Sequence, residues 1–245
     1  MNFNNEVVQR IKENTNNKKL KKSANVFLDL SAKSKYPYNF SWLGRPIIQY
    51  PQDIIAIQEI IWKVQPNLII ETGIAHGGSL ILSASMLELN CICGGPKDAK
   101  VVGIDIDIRE HNRIAIEKHP LYHRINMIQG SSVDNDIATK VKILANKKQK
   151  VLVFLDSMHT HEHVLAELNI YAPMVSVNSY CVVFDTLIED MPENTYPDRP
   201  WSKGNNPKTA VYEYLKTHSE FKIDKSIQNK LLITVAPDGY LKRIK

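Results

Sequence analysis

The chain has 245 residues, 43% of them apolar, and a formal net charge of +5. That length is enough to bury one large core, and no break in composition demands a second. So modest a charge argues against nucleic acid as a partner; three cysteines make no disulfide framework, and nowhere do about 18 apolar residues run together, so no membrane span is expected.

Residues 1–38 read as a basic, helical N-terminal extension, in which Lys18-Lys19-Leu20-Lys21-Lys22 is a solvated helix face or a flexible arm. Residues 39–245 form the main domain. In residues 53–64, Ile54, Ile57, Ile61 and Val64 fall at helical spacing behind Pro51, a start signal. The spacing then predicts a strand at 68–71, a helix from about 78, a strand at 101–105, a helix from about 109 and a strand at 125–129. A helix at 134–146, a strand at 151–155, a helix at 161–171 and a strand at 180–184 follow. Cys91-x-Cys93 lacks a second pair for zinc, so free thiols in a reducing, cytoplasmic setting are expected. Four prolines, at 192, 197, 200 and 207, mark the stretch 189–207 as a loop over the sheet's ligand edge, with Pro207 in the first turn of the next helix. Residues 231–236, Pro237-Asp238-Gly239 and residues 240–244 read as a hairpin. The sum is an α/β, Rossmann-like, doubly wound and mostly parallel sheet with a C-terminal antiparallel hairpin, which fits a class I methyltransferase better than a dehydrogenase.

The most informative stretch is Glu71-Thr72-Gly73-Ile74-Ala75-His76-Gly77-Gly78, between a strand and a helix. Glycines there let backbone approach a ligand, and the helix start presents free N–H groups. A dinucleotide would bring its pyrophosphate beside Glu71 and be repelled, whereas S-adenosylmethionine carries positive amino and sulfonium groups. A tight turn with helix-packing glycines is the plainer alternative. At the next strand tip, Asp105 is placed to accept both hydroxyls of a ribose, with Asp107 as its substitute. Gly130-Ser131-Ser132 ends the third strand and borders an adenine in this reading.

The reactive groups concentrate in Asp156-Ser157-Met158-His159 and in Asp185. Methyl transfer to a hydroxyl requires removal of its proton, and histidine, whose unperturbed pKa is about 6.5, suits that task; His159 is the candidate base. For His161 and His163 a surface or capping role is the simpler account. Asp156 and Asp185, at neighbouring strand tips, are two hard oxygen ligands for Mg²⁺, although Asp185 equally suits a turn cap. Trp42, Tyr196, Arg199 and Trp201 flank the cleft and suit a sugar ring as well as they suit core packing.

These motifs resemble the cephalosporin hydroxylase family, class I S-adenosylmethionine-dependent methyltransferases that are similar to rhamnosyl and macrolide-sugar O-methyltransferases. The resemblance runs from about Trp42 to the C-terminus, through Trp42-Leu43-Gly44, Pro51-x-Asp53, Glu71-Thr72-Gly73, Gly77-Gly78-Ser79, Gly103-Ile104-Asp105-Ile106-Asp107, Gly130-Ser131-Ser132, Asp156-x-x-His159, His163-Val164 and Val183-x-Asp185-Thr186. It implies that residues 39–245 are a methyltransferase domain with S-adenosylmethionine near Glu71, Gly73, His76, Gly78, Ser79, Asp105, Asp107, Ser131, Ser132 and Asp156. It also implies Mg²⁺ at Asp156 and Asp185, and His159 as base with Asp156 beside it. Relatives usually carry Glu-Asp where this chain has Phe184-Asp185. Either the metal persists with an extra water, or Glu189 or Asp190 compensates, or the enzyme works without metal. The expected partner is a sugar or other small-molecule or glycan acceptor, and a homo-oligomer is compatible with this reading. A donor-binding protein that has lost catalysis and a nicotinamide oxidoreductase are the alternatives.

Overall fold

A computed structural model of the chain describes residues 2–146, 148–193 and 195–245. The chain begins with helices α1 (Phe3–Asn16) and α2 (Lys18–Lys33), the short strands β1 (Phe40–Trp42) and β2 (Arg45–Ile47), and helix α3 (Pro51–Val64). Strands and helices then alternate: β3 (Leu68–Thr72), α4 (Gly78–Ile92), β4 (Lys100–Asp105), α5 (Glu110–Glu117), β5 (Ile125–Gln129) and α6 (Asn135–Ala145). β6 (Val151–Leu155), α7 (His161–Tyr171), β7 (Tyr180–Val183), α8 (Pro207–Tyr214), β8 (Phe221–Ile223), α9 (Lys225–Leu231) and β9 (Tyr240–Arg243) complete it.

Seven strands form one sheet in the order β5-β4-β3-β6-β7-β9-β8. The first five are parallel, β9 runs antiparallel to β7, and β8 antiparallel to β9. Alternate residues of a strand face opposite sides, and the apolar runs of the inner strands therefore feed two cores. Ile69, Val101, Leu152, Phe154 and Val182 pack with α3 and α4 residues such as Ile57, Ile61, Leu80 and Leu87. Ile70, Val102, Val153, Leu155 and Val183 pack with Val141, Val164, Leu168 and Val211 of α6, α7 and α8. The helix starts are set locally: Asp134 caps α6 by accepting the Asp136 N–H at 2.8 Å, and Asn206 with Thr209 makes a capping box around Pro207.

The chain builds outward from β3 through β4 to β5, then crosses back to β6 on the other side of β3. At such a reversal the loops after adjacent strands diverge and open a crevice at their C-terminal ends. Gly73 follows β3 and Asp156 follows β6, so both stand at that crevice.

The last two strands are antiparallel, as expected, but the first of them lies earlier in the chain than residues 231–236. Phe221–Ile223 pairs with β9, and residues 225–231 are helical. The cause is tertiary. The buried Asp53 carboxylate, in the first turn of α3, accepts the Thr234 hydroxyl, the Val235 N–H at 3.0 Å and the Tyr240 hydroxyl at 2.9 Å. Those bonds draw the segment after α9 onto α3 and out of the ladder. In the N-terminal extension, α2 begins with the lysine run and buries Ala24 and Leu28, and its Ser31 hydroxyl lies 2.7 Å from that of Tyr50. Among the described residues no helix is long and apolar enough to cross a membrane.

Candidate active site

The turn after β3 is held in a conformation that few side chains tolerate. Gly73 has φ +87°, and a Cβ placed there would lie 2.0 Å from the Asp156 carbonyl oxygen. Gly77, at φ +84°, is the N-cap of α4 and offers no side-chain cap, so the first N–H groups of that helix stay free for a ligand. Arg45 braces the turn by donating to the His76 carbonyl at 3.0 Å and to Asn112 Oδ1 at 2.9 Å; Asn112 in turn donates to the Ala75 carbonyl at 3.0 Å. Gly78 faces the other way: a Cβ there would meet the Pro46 carbonyl at 2.2 Å, so this glycine admits β2 against α4. The remaining space, about 50 Å³, is lined by Gln49, Gly73, His76, Ser79 and Asp156 among others.

Asp105 stands at the tip of β4, and its Oδ2 accepts the Ile74 N–H at 2.8 Å, while Oδ1 accepts the Asp107 N–H at 3.0 Å. It thus shapes the glycine turn while keeping lone pairs for a further donor. Asp107 points outward, 3.9 Å from Arg109 Nε. Glu71 is 2% exposed and accepts the hydroxyls of Ser79 and Ser83. Burial lifts its pKa from 4.5 to about 7, with the two hydroxyls opposing the rise. The folded state therefore holds this proton more tightly than the unfolded chain, and stability should fall as pH rises from about 4.5 to about 7. Asp53, lifted by burial from 3.8 to about 6, acts in the same direction at slightly lower pH. Urea unfolding of Glu71→Gln at pH 8 should show a gain, on the order of 3 kcal/mol at most, that shrinks towards pH 5.

Asp156, His159 and Asp185 converge on one point: each offers a ligand atom, and these atoms lie within 4.8 Å of one another. Asp185 has φ +54°, left-handed and uncommon for a residue with a side chain, at the bend where β7 runs into the turn at Thr186–Asp190. Its Oδ2 is 3.4 Å from His159 Nε2. Burial pushes the Asp156 carboxyl well above the usual range, and the charges of Asp185 and Glu71 push it further. Gln49 reaches the same place: its Nε2 is 3.4 Å from Asp156 Oδ2, and its Oε1 is buried without a partner. Acids that repel one another beside an orphaned amide oxygen fit a hard divalent cation such as Mg²⁺. The His159 ring meets Trp201 edge-on at 4.8 Å, and the Arg199 guanidinium lies 5.2 Å from the centre of the same indole. Through Trp201 the proline-rich loop borders the strand-tip edge at His159, and Tyr196, Arg199 and Trp201 line a cavity of about 290 Å³ bounded by residues 188–203 of the loop region itself.

Other expected residues fall elsewhere. Neither Glu189 nor Asp190 joins the acidic cluster: Glu189 accepts the Gly204 N–H at 2.8 Å and the Asn206 amide, and Asp190 pairs with Lys208 at 2.5 Å. Phe184 is buried against Phe154, ring centres 6.1 Å apart, on the α3/α4 side of the sheet. Trp42 packs on the same core and donates to Ser85 at 3.0 Å rather than flanking the cleft, because β1 lies over α4. His161 contacts Thr209 at 2.8 Å and Glu213 at 3.3 Å on α8. Ser131 is half-buried in the loop after β5, while Ser132 and His163 are 3.1 Å apart in a polar cluster beneath the edge. Gln49 and Glu167 were not singled out by sequence, and Ser157 stood there only as a member of the Asp156–His159 stretch; the four-residue spacing of His163 and Glu167 is the signal that could have put those two on a shared helix face.

Comparison with known proteins shows which family the chain is similar to. The family model described as rhamnosyl O-methyltransferase/CmcI matches residues 34–244. A rhamnosyl O-methyltransferase of Mycobacterium tuberculosis (strain ATCC 25618 / H37Rv) is 32% identical over 194 residues, covering 78% of this chain and 73% of the relative. One of Mycobacterium leprae (strain TN) is 28% identical over 205 residues, covering 83% and 82%. Among solved structures, a CmcI apo-structure superposes with TM-score 0.57 at 20% identity, covering 85% of this chain and 77% of the other. A CmcI structure with Mg and SAM gives 0.53 at 19% identity, covering 85% and 78%. At such identities the structural likeness speaks for the fold.

Proposed function

The chain belongs to the rhamnosyl O-methyltransferase/CmcI family, and on that premise we propose that it transfers a methyl group from S-adenosylmethionine to a hydroxyl of a sugar or glycan precursor. The observation that carries this reading is the meeting of Asp156, His159 and Asp185 beside the glycine turn.

In this reading the donor lies along the tips of β3, β4 and β5, against Gly73, His76 and Ser79. Asp105 and Ser131 border its nucleoside. Glu71 supplies negative charge beneath the donor's cationic end once it gives up its proton, which that neighbouring cation favours. The acceptor enters between Asp156 and the Tyr196–Trp201 loop. As its oxygen attacks the methyl carbon, the carbon–sulfur bond breaks and the sulfur leaves as a neutral thioether. His159 takes the hydroxyl proton, and the imidazolium so formed faces Asp185 3.4 Å away, which stabilises its charge. Asp156 and Asp185 are the groups that would hold Mg²⁺, which when bound would acidify and orient the acceptor hydroxyl.

Calorimetry with S-adenosylhomocysteine should show binding, and labelled methyl should pass to a rhamnosyl acceptor with Mg²⁺ present and pass more slowly after EDTA treatment. No affinity for either S-adenosylmethionine or S-adenosylhomocysteine would end this reading. Phe184 motivates a second one, a donor-binding protein without turnover, which predicts binding but no transfer to any glycan tested.

A further inference from the structure

Beneath the strand-tip edge lies a polar cluster that the proposed reaction does not use. Three residues on one face of α7, His163, Glu167 and Tyr171, follow one another at four-residue steps. The Glu167 side chain is fully buried, and its Oε1 accepts the Ser157 hydroxyl at 2.7 Å. Its Oε2 is buried with no partner. His163 Nε2 lies 3.1 Å from Ser157 Oγ, 3.1 Å from Ser132 Oγ and 3.5 Å from Glu167 Oε1. Tyr171 donates to the Ser132 carbonyl at 2.6 Å. Because the Ser157 hydrogen is committed to Glu167, its oxygen has to accept from His163, so the proton of that imidazole sits on Nε2.

Two consequences follow from this geometry. A buried carboxylate with one oxygen unpartnered costs stability. What the carboxylate holds is Ser157, the residue between Asp156 and the rest of the turn to His159. The loops after β5 and β6 leave strands that have two others between them, and they meet at His163.

Resting on the methyl-transfer reading, we infer that Glu167 is a positioning residue: through Ser157 it fixes the turn that carries Asp156 and His159, and His163 extends that brace to the Ser132 loop. The carboxylate acts as a hydrogen-bond acceptor, so a neutral acceptor at the same place should serve and an apolar residue should not.

The test compares Glu167→Met, Glu167→Gln and Ser157→Ala in the full chain. Mg²⁺ is titrated calorimetrically into each protein saturated with S-adenosylhomocysteine, beside thermal unfolding and amide hydrogen exchange of residues 157–160. E167M and S157A should weaken Mg²⁺ binding by about tenfold or more and speed that exchange, with S-adenosylhomocysteine affinity unchanged. E167Q should behave as the wild type. E167M leaves the Ser157 hydroxyl without its acceptor and should unfold at a lower temperature than the wild type, so binding and exchange are compared at a temperature where thermal unfolding shows every variant folded. Wild-type Mg²⁺ affinity and exchange in folded E167M and S157A would overturn the inference. Failure of the wild type to bind S-adenosylhomocysteine would instead sink the functional reading. If the wild type binds donor product but no Mg²⁺, exchange alone decides, and unchanged exchange in E167M overturns the inference.

Discussion

Replacing His159 by alanine should lower methyl transfer by about 10²–10⁴-fold while leaving S-adenosylhomocysteine affinity intact, the span expected for removing a positioned general base. The effect should fall on turnover, because the imidazole stands on the Asp185 side of the edge, against Trp201. Asp185→Asn tests the same step from the other side: the imidazolium that forms on proton removal would lose the carboxylate 3.4 Å from Nε2. Single-turnover rates with labelled donor separate the two residues from any effect on binding. Undiminished transfer by H159A would remove the proposed base outright.

Gly73→Ala should abolish donor binding and destabilise the fold by on the order of 3 kcal/mol. Two costs add at this position. The left-handed φ of +87° disfavours any Cβ, and the Cβ would stand 2.0 Å from the Asp156 carbonyl oxygen and 2.7 Å from its carbon. Backbone on both sides must move, since neither contact is with a flexible side chain, and the displaced residue is itself at the acidic cluster. Gly94→Ala is the matched control. Its φ of +91° carries the same conformational penalty, yet nothing lies within 4 Å of its Cβ. It should lose only about 1 kcal/mol and keep donor affinity. Equal losses in the two variants by urea unfolding, or donor binding retained by G73A, would refute the claim that close approach of Asp156 makes this glycine necessary.

The Phe184 substitution is now a statement about packing. Val183 is paired with Leu155, so Phe184 and Asp156 both come one residue beyond that pair. The ring turns onto Phe154 instead of facing solvent, and the acidic cluster is left with Asp156 and Asp185. Gln49, brought in by the segment between β2 and α3, is the polar neighbour that reaches Asp156, through its Nε2 at 3.4 Å.

The parallel sheet, the glycine turn and the strand-tip positions of Glu71, Asp105, Asp156 and Asp185 were legible in the chain. Each depends on a short-range signal: an apolar run the length of a strand, a glycine where backbone must turn, a polar residue at the run's end. The family resemblance rested on the same stretches. The first strand of the C-terminal pair was misplaced because the competing bond is non-local: Asp53 takes Thr234 and Val235, 181 and 182 residues away. Gln49 gave no local sign and Glu167 none beyond its four-residue spacing from His163, since a glutamine before a proline-led helix and a glutamate in an amphipathic one are ordinary. By itself the sequence determined which residues end strands, because hydrophobic period and turn chemistry act within a few residues. Only the tertiary structure decided which of those ends share a site and what braces them from below, because burial and hydrogen-bond geometry depend on groups far apart in the chain.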